Sequence, residues 1–315
     1  MLFLTVFQQL VSLMLIAAAG IALTKLKIID GALATGMSGV MTKACLPCVL
    51  ISGMQLEYDI GALGDMGTTA GGFILVMALS ATLVLPLILV RKSDLKEAGI
   101  LIICASFPNV VYIGRPLLEA MYGEMANLPV TVVTLVFSST VFSIGVLLAT
   151  MGGKTEFGGV KGILRRSFIN PAVVSGVTGI LLFLFSVKIP SPVLAPMRMM
   201  AGMTTPLAML IIGYSLTQTK LRELFSDARV WAITFARLIL APIAVFFALS
   251  LFIKHPVILG TLTVGASLPV GANAGVIARL YDNNPVFAAK CIFLSSVLAV
   301  FTAPVMITLL LGGAA

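Results

Sequence analysis

Polar positions interrupt this chain rarely and at regular intervals. Ten apolar runs fall at about 2–24, 33–54, 64–90, 97–121, 127–150, 168–188, 192–216, 228–253, 257–280 and 286–311. At a rise of about 1.5 Å per residue, each predicts a helix able to cross a hydrocarbon core about 30 Å thick. Two of the runs carry the same interruption: Ala105, Ser106, Phe107, Pro108 with Gly114, and Ala266, Ser267, Leu268, Pro269 with Gly275. The copies lie 161 residues apart, about half the chain. Proline removes a backbone donor and clashes with the preceding turn, so a helix breaks or kinks there. Counted from Glu97 and Val257, Pro108 and Pro269 lie about 17 and 18 Å deep, near the middle of the hydrocarbon. A broken helix at that depth is tolerated only where protein or a water-filled cavity covers the freed polar groups. Interrupted segments at matching places in two halves point to a transporter's binding site.

Weaker matches in the same order extend the repeat. Leu46-Pro47 with Gly53 in the second run answers Thr205-Pro206 with Gly213 in the seventh. Leu85-Pro86-Leu87 answers Ala241-Pro242-Ile243, and Phe137-Ser138-Ser139-Thr140 answers Phe293-Leu294-Ser295-Ser296. The fold expected is an all-α membrane protein of ten transmembrane helices in two five-helix repeats, 1–150 and 168–315. Helices four and nine are each broken near the middle of the membrane. Residues 151–167, with five glycines and scattered charge, form a tether between the halves. Because five is odd, the second repeat enters from the opposite side and is inverted.

Composition agrees. Of 315 residues 59% are apolar and 10% charged, against about 25% charged in soluble domains. The chain is therefore read as an integral, multi-pass protein whose first partner is the lipid bilayer. Its net charge of +8 suggests no nucleic acid, because the basic residues cluster in short loops. Lys25, Lys27, Arg91, Lys92, Lys96, Lys154, Lys161, Arg165, Arg166, Lys220, Arg222 and Arg229 fall on one side, and Lys188 and Lys254 on the other. This bias puts both termini outside and the 151–167 tether in the cytoplasm. The N-terminal run is too long for a cleavable signal and lacks a basic leader. Cys45 and Cys48 form a Cys-x-x-Cys in an apolar setting, and His255 is the single histidine, so neither a metal nor a cofactor is expected.

If each broken span restarts after its proline, two half-helix N-termini face each other and attract an anion. Candidate donors around them are Asn109, Tyr112, Asn273, Ser138, Ser139, Thr140, Ser295 and Ser296. Serines and threonines in membrane helices also bond their own backbone, and that alternative stays open for each hydroxyl. Arg115, between Gly114 and Pro116, either binds a substrate carboxylate or pairs with Glu119 four residues on. Arg237 and Lys290 are read as snorkelling from span ends.

At these residues the chain resembles the auxin efflux carrier family, which includes plant PIN proteins and bacterial carriers and is related in fold to bile acid–sodium symporters. The resemblance rests on Ser106-Phe107-Pro108-Asn109 with Gly114-x-Pro116, on Leu268-Pro269 with Ala278-Arg279-Leu280-Tyr281, on Phe293 to Pro304, and on Leu46-Pro47. It implies crossed fourth and ninth helices, with Asn109 and Asn273 nearest the substrate. It also implies a scaffold of spans one, two, six and seven, against which the other spans move as an elevator. Members carry organic anions such as auxin or malonate, and a homodimer through the scaffold is expected. Arg115 stands where such carriers would have an apolar residue. The long hydrophilic loop of plant members is missing, which favours a bacterial type in the inner membrane. The function expected is secondary active or facilitative transport of a small organic anion, with sodium, proton or no coupling ion left open. Rival readings are a sodium or proton antiporter of related fold, for which only Glu119 is an intramembrane acid candidate, and a membrane ligand sensor. An intramembrane enzyme would need a catalytic constellation at depth; none is found.

Overall fold

A computed structural model describes residues 2–57, 61–151, 171–217 and 227–312. Among them the chain is helical, and the one β-type feature is an isolated bridge. The N-terminal half contains α1 (Leu2–Lys25), α2 (Gly31–Gly53), α3 (Gly61–Arg91), α4 (Leu95–Ser106), α5 (Arg115–Tyr122), α6 (Asn127–Thr140) and α7 (Val146–Thr150). The C-terminal half contains α8 (Pro171–Leu184), α9 (Ser191–Thr217), α10 (Ala228–Ser250), α11 (Pro256–Ser267), α12 (Ala272–Leu280) and α13 (Pro285–Leu311). Seven helical stretches are long and apolar enough to cross a membrane, by length and composition. One of them, Val110–Thr150, spans 41 residues and contains Gly123 at φ 60°, which separates α5 from α6. The tether expected from the sequence, beyond Met151 and with Lys154, Lys161, Arg165 and Arg166, lies outside the described residues, as do Asp59, Lys220 and Arg222.

Local chemistry sets the boundaries. Asp30 and Asp94 accept from the backbone N–H groups of Leu33 and Glu97 at 2.7 Å, capping α2 and α4. Asn284 does the same for Phe287 at 3.2 Å. The helix of the sixth apolar run ends earlier than its pattern predicts. It stops at Leu184, and Ser186 turns left-handed at φ 53°. Wide π-turns at Met41–Cys45, Val110–Gly114 and Ala236–Leu240 each run directly into a helix with proline at its second position: Pro47, Pro116 and Pro242. A proline ring displaces the carbonyl four residues back and offers no N–H, and the widened turn absorbs both effects.

Two groups of helices pack around the middle. α1 lies along α9, and α2 packs on α8 and α9. A Cβ on Gly213 would stand 2.2 Å from the Ala17 oxygen, and one on Gly20 would stand 2.6 Å from the Leu210 oxygen. Small residues permit this backbone approach, as in other membrane helix pairs. The second group gathers α3, α4, α6 and α10–α13 around the fully buried Phe73, Leu101, Phe107, Phe137, Leu262 and Leu268. One end of this group is tied by polar contacts. Arg229 pairs with Glu97 and Asp227 at 2.6 Å each and lies 5.1 Å from the Phe287 ring centre. The hydrogen bond from Arg229 holds the Asp227 carboxyl below its usual range. Asn283, fully buried, donates to the carbonyls of Lys96 at 3.1 Å and Ala149 at 3.0 Å.

Gly213→Val forces α1 and α9 apart at an overpacking cost of roughly 1–3 kcal/mol. The melting temperature in detergent falls, whereas Gly36→Ala, with nothing within 4 Å of its Cβ, leaves it unchanged or higher.

Candidate functional site

The two Ala-Ser-x-Pro motifs meet. α4 ends at Ser106 and helical structure resumes at Val110; α11 ends at Ser267 and resumes at Ala272. The connecting segments lie antiparallel, with a bridge between Pro108 and Val270. Gly271 N–H donates to the Phe107 carbonyl at 2.7 Å, and Asn109 N–H donates to the Pro269 carbonyl at 2.9 Å. Each break thus satisfies backbone groups that the other frees. Ser295 completes the pairing, because its Oγ accepts from Val270 N–H at 3.0 Å. The approach is tight: a Cβ on Gly271 would stand 2.9 Å from the Pro108 oxygen, and one on Gly114 would stand 2.7 Å from the Leu268 side chain.

The C-terminal ends of the broken helices converge on Arg237, which is 1% exposed. Its Nε donates to Leu268 O at 3.0 Å, Nη1 to Ala105 O at 3.0 Å and Ser80 Oγ at 3.1 Å, and Nη2 to Gly265 O at 2.8 Å. The snorkelling expected of Arg237 is therefore wrong. Three orphan carbonyls in the interior hold the guanidinium more strongly than the membrane surface draws it. Counting from Ala228 places it about 14 Å deep, and that depth is the signal in the sequence that argues against snorkelling.

The N-terminal ends open on cavities. One of about 500 Å³ is lined by Tyr112, Ser138 and Asn273 together with Thr42, Lys43 and Tyr281. A smaller one, about 170 Å³, meets Tyr112, Gly275, Tyr214 and Arg279. A third, about 370 Å³, holds Arg115, Glu119, Glu124 and Arg198. Val111 lines both the first and the third. Lys43, absent from the sequence-based candidates because it interrupts an apolar run only once, lines the 500 Å³ cavity.

The remaining candidates divide. Asn109 is 2% exposed, and its Nδ2 has no hydrogen-bond partner. Ser106 and Ser296 also present unpartnered hydroxyls. Ser139, Thr140 and Ser267 donate back to the carbonyls of Leu135, Val136 and Thr263, which commits their hydroxyl protons to their own helices. Arg115 Nε pairs with Glu119 at 2.7 Å, while its Nη1 is buried without a partner. Lys290 is half-buried in α13. Among the described residues, no group of three or more His, Cys, Asp or Glu side chains is placed to hold a metal ion.

A family described as "Membrane transport protein" matches residues 5–157 and 160–307, nearly the whole chain. The chain belongs to that family, the family of the auxin efflux carriers. A protein named "Putative malonate transporter" from Rhizobium meliloti is 27% identical over 256 residues, 80% of this chain and 77% of that one. An "Uncharacterized transporter" from Methanothermobacter thermautotrophicus is 21% identical over 309 residues, 96% of this chain and 98% of that one. The protein is a multi-helix membrane carrier, and the crossing of its broken helices is the natural place to look for its cargo.

Ser295→Ala leaves the buried Val270 N–H unpaired, a loss of about 1–3 kcal/mol. Ser139→Ala removes only a back-bond. Thermal melting in detergent separates the two: the first falls clearly, and the second stays near the parent.

Proposed function

We propose that this carrier moves a small organic anion, a carboxylate of the malonate class, by alternating access around the crossing. The observation that carries the reading is electrostatic. The two cavities beside the N-terminal ends of the restarted helices contain Lys43 and Arg279 and, among their described lining residues, no acid. Helix N-termini bring positive partial charge and free N–H groups to the same place. A carboxylate suits that field and a free cation does not. The name of the Rhizobium meliloti relative supports the choice of substrate class.

In this reading the chain crosses the membrane ten times as two inverted repeats, in a bacterial inner membrane with both termini outside. α1, α2, α8 and α9 form the scaffold, through which two copies dimerise, and the remaining helices slide past it as an elevator. Asn109, Tyr112, Ser138 and Asn273 contact the anion at the crossing. Ser296 turns its unspent hydroxyl toward the site, and Arg115 offers its free Nη1 to the cavity beyond Val111. Ser139 and Ser295 serve the backbone instead.

Flux into proteoliposomes tests this with a panel of mono- and dicarboxylates under imposed sodium, proton or voltage gradients. The expected result is saturable malonate uptake with no uptake of the neutral malonamide. Asn109→Ala and Asn273→Ala each lower it at least tenfold, equivalent to about 1.4 kcal/mol of lost contact. Equal uptake by parent and both variants removes the asparagines from the site, and movement of cations without carboxylates removes the function.

A further inference from the structure

Arg237 is a monovalent charge at the centre of the protein, and no acidic side chain pairs with it among the described residues. Its partners are Ala105 O, Gly265 O and Leu268 O, with Ser80 Oγ. Ala105 and Gly265 belong to the last turns of α4 and α11, and Leu268 is the C-cap of α11. Carbonyls there have no helical N–H to accept from, and they carry the negative end of the helix dipole. Two such ends directed at one point, without water, repel each other and remain unsatisfied at a cost of several kcal/mol. A planar guanidinium with five N–H donors spread over a rigid fork serves all three carbonyls and Ser80 Oγ at once, whereas a compact ammonium has three donors for these four acceptors. The π-turn Ala236–Leu240, made wide ahead of Pro242, carries the side chain there. Ser80, itself donating to Val76 O at 2.7 Å, keeps its oxygen free to accept from the arginine.

We propose that the carbonyls of Ala105, Gly265 and Leu268 form a cation site that the chain fills with its own Arg237. That charge fixes the two half-helices in the crossed position from which their other ends hold the anion. Arg237 is thus a positioning residue. It never meets the cargo, and the positive charge travels with the moving helices through the whole cycle. No free cation from either side of the membrane is required at this point. The cation site stands on the geometry alone, whereas its role in transport rests on the anion-carrier reading.

The test uses Arg237→Ala, Arg237→Gln and Arg237→Lys, with guanidinium chloride at millimolar, non-denaturing concentration as the probe and urea as its uncharged counterpart. In detergent, Arg237→Ala is expected to melt well below the parent and to be raised by guanidinium but not by urea, with the parent unmoved by either. Arg237→Gln and Arg237→Lys both melt below the parent, the first for lack of charge and the second for lack of reach. A parent-like melting of either variant overturns the proposal, even if Arg237→Ala cannot be purified. So does an Arg237→Ala protein indifferent to guanidinium. In proteoliposomes Arg237→Ala loses malonate uptake at least tenfold, and guanidinium on both sides restores it. Rescue of melting without rescue of uptake overturns the positioning role. If parent vesicles take up no carboxylate at all, the anion-carrier reading fails while the melting experiment still decides the cation site.

Discussion

Hydrocarbon offers no hydrogen bonds, so every backbone group freed by a broken helix must find a partner inside the protein. At the crossing two breaks are placed where each supplies what the other lacks. Phe107 O and Gly271 N–H, and Asn109 N–H and Pro269 O, pair across it. Ser295 takes the N–H of Val270, and Arg237 takes three carbonyls of the C-terminal ends. Unpartnered, groups of this kind cost about 1–3 kcal/mol each. The packing of α3, α4, α6 and α10–α13 around Phe107, Phe137 and Leu268 buries this arrangement.

The same breaks give the site its polarity. Each interruption creates one electronegative and one electropositive helix end. The electronegative ends are closed off by a buried arginine. The electropositive ends face cavities lined by further cations and by Asn273 and Ser138, and Asn109, with its unpartnered amide, begins the first of these ends. The positive character of these cavities therefore arises in large part from backbone direction. Few ionisable side chains are needed at depth, which matches a chain with only 10% charged residues. Val111 borders two of the cavities.

Much of this is legible in the sequence because proline acts locally. The paired Ala-Ser-x-Pro motifs predict helices that end near serine and resume after proline, and the helices end at Ser106 and Ser267 and resume at Val110 and Ala272. Leu46-Pro47 and Ala241-Pro242 stand out in the sequence as repeat signatures, and in the fold each marks a helix restarting after a widened turn. The features hidden from the sequence depend on convergence in space. Arg237 looks like any basic residue of an apolar run until two carbonyl ends from distant segments are brought to it. Ser139 and Ser295 are chemically identical and both donate back to their own helices, yet only the oxygen of Ser295 is placed to accept from the crossing. Gly271 and Lys43 escape a reading of the sequence because each matters only through what lies opposite.

Imaging the carrier by electron cryomicroscopy with malonate present addresses the central claim directly. The account predicts gaps in helical density at 107–109 and 268–271, lying side by side, with ligand density at the N-terminal ends of the helices that resume beyond them. Unbroken helices through those residues, or malonate bound away from both ends, would contradict it.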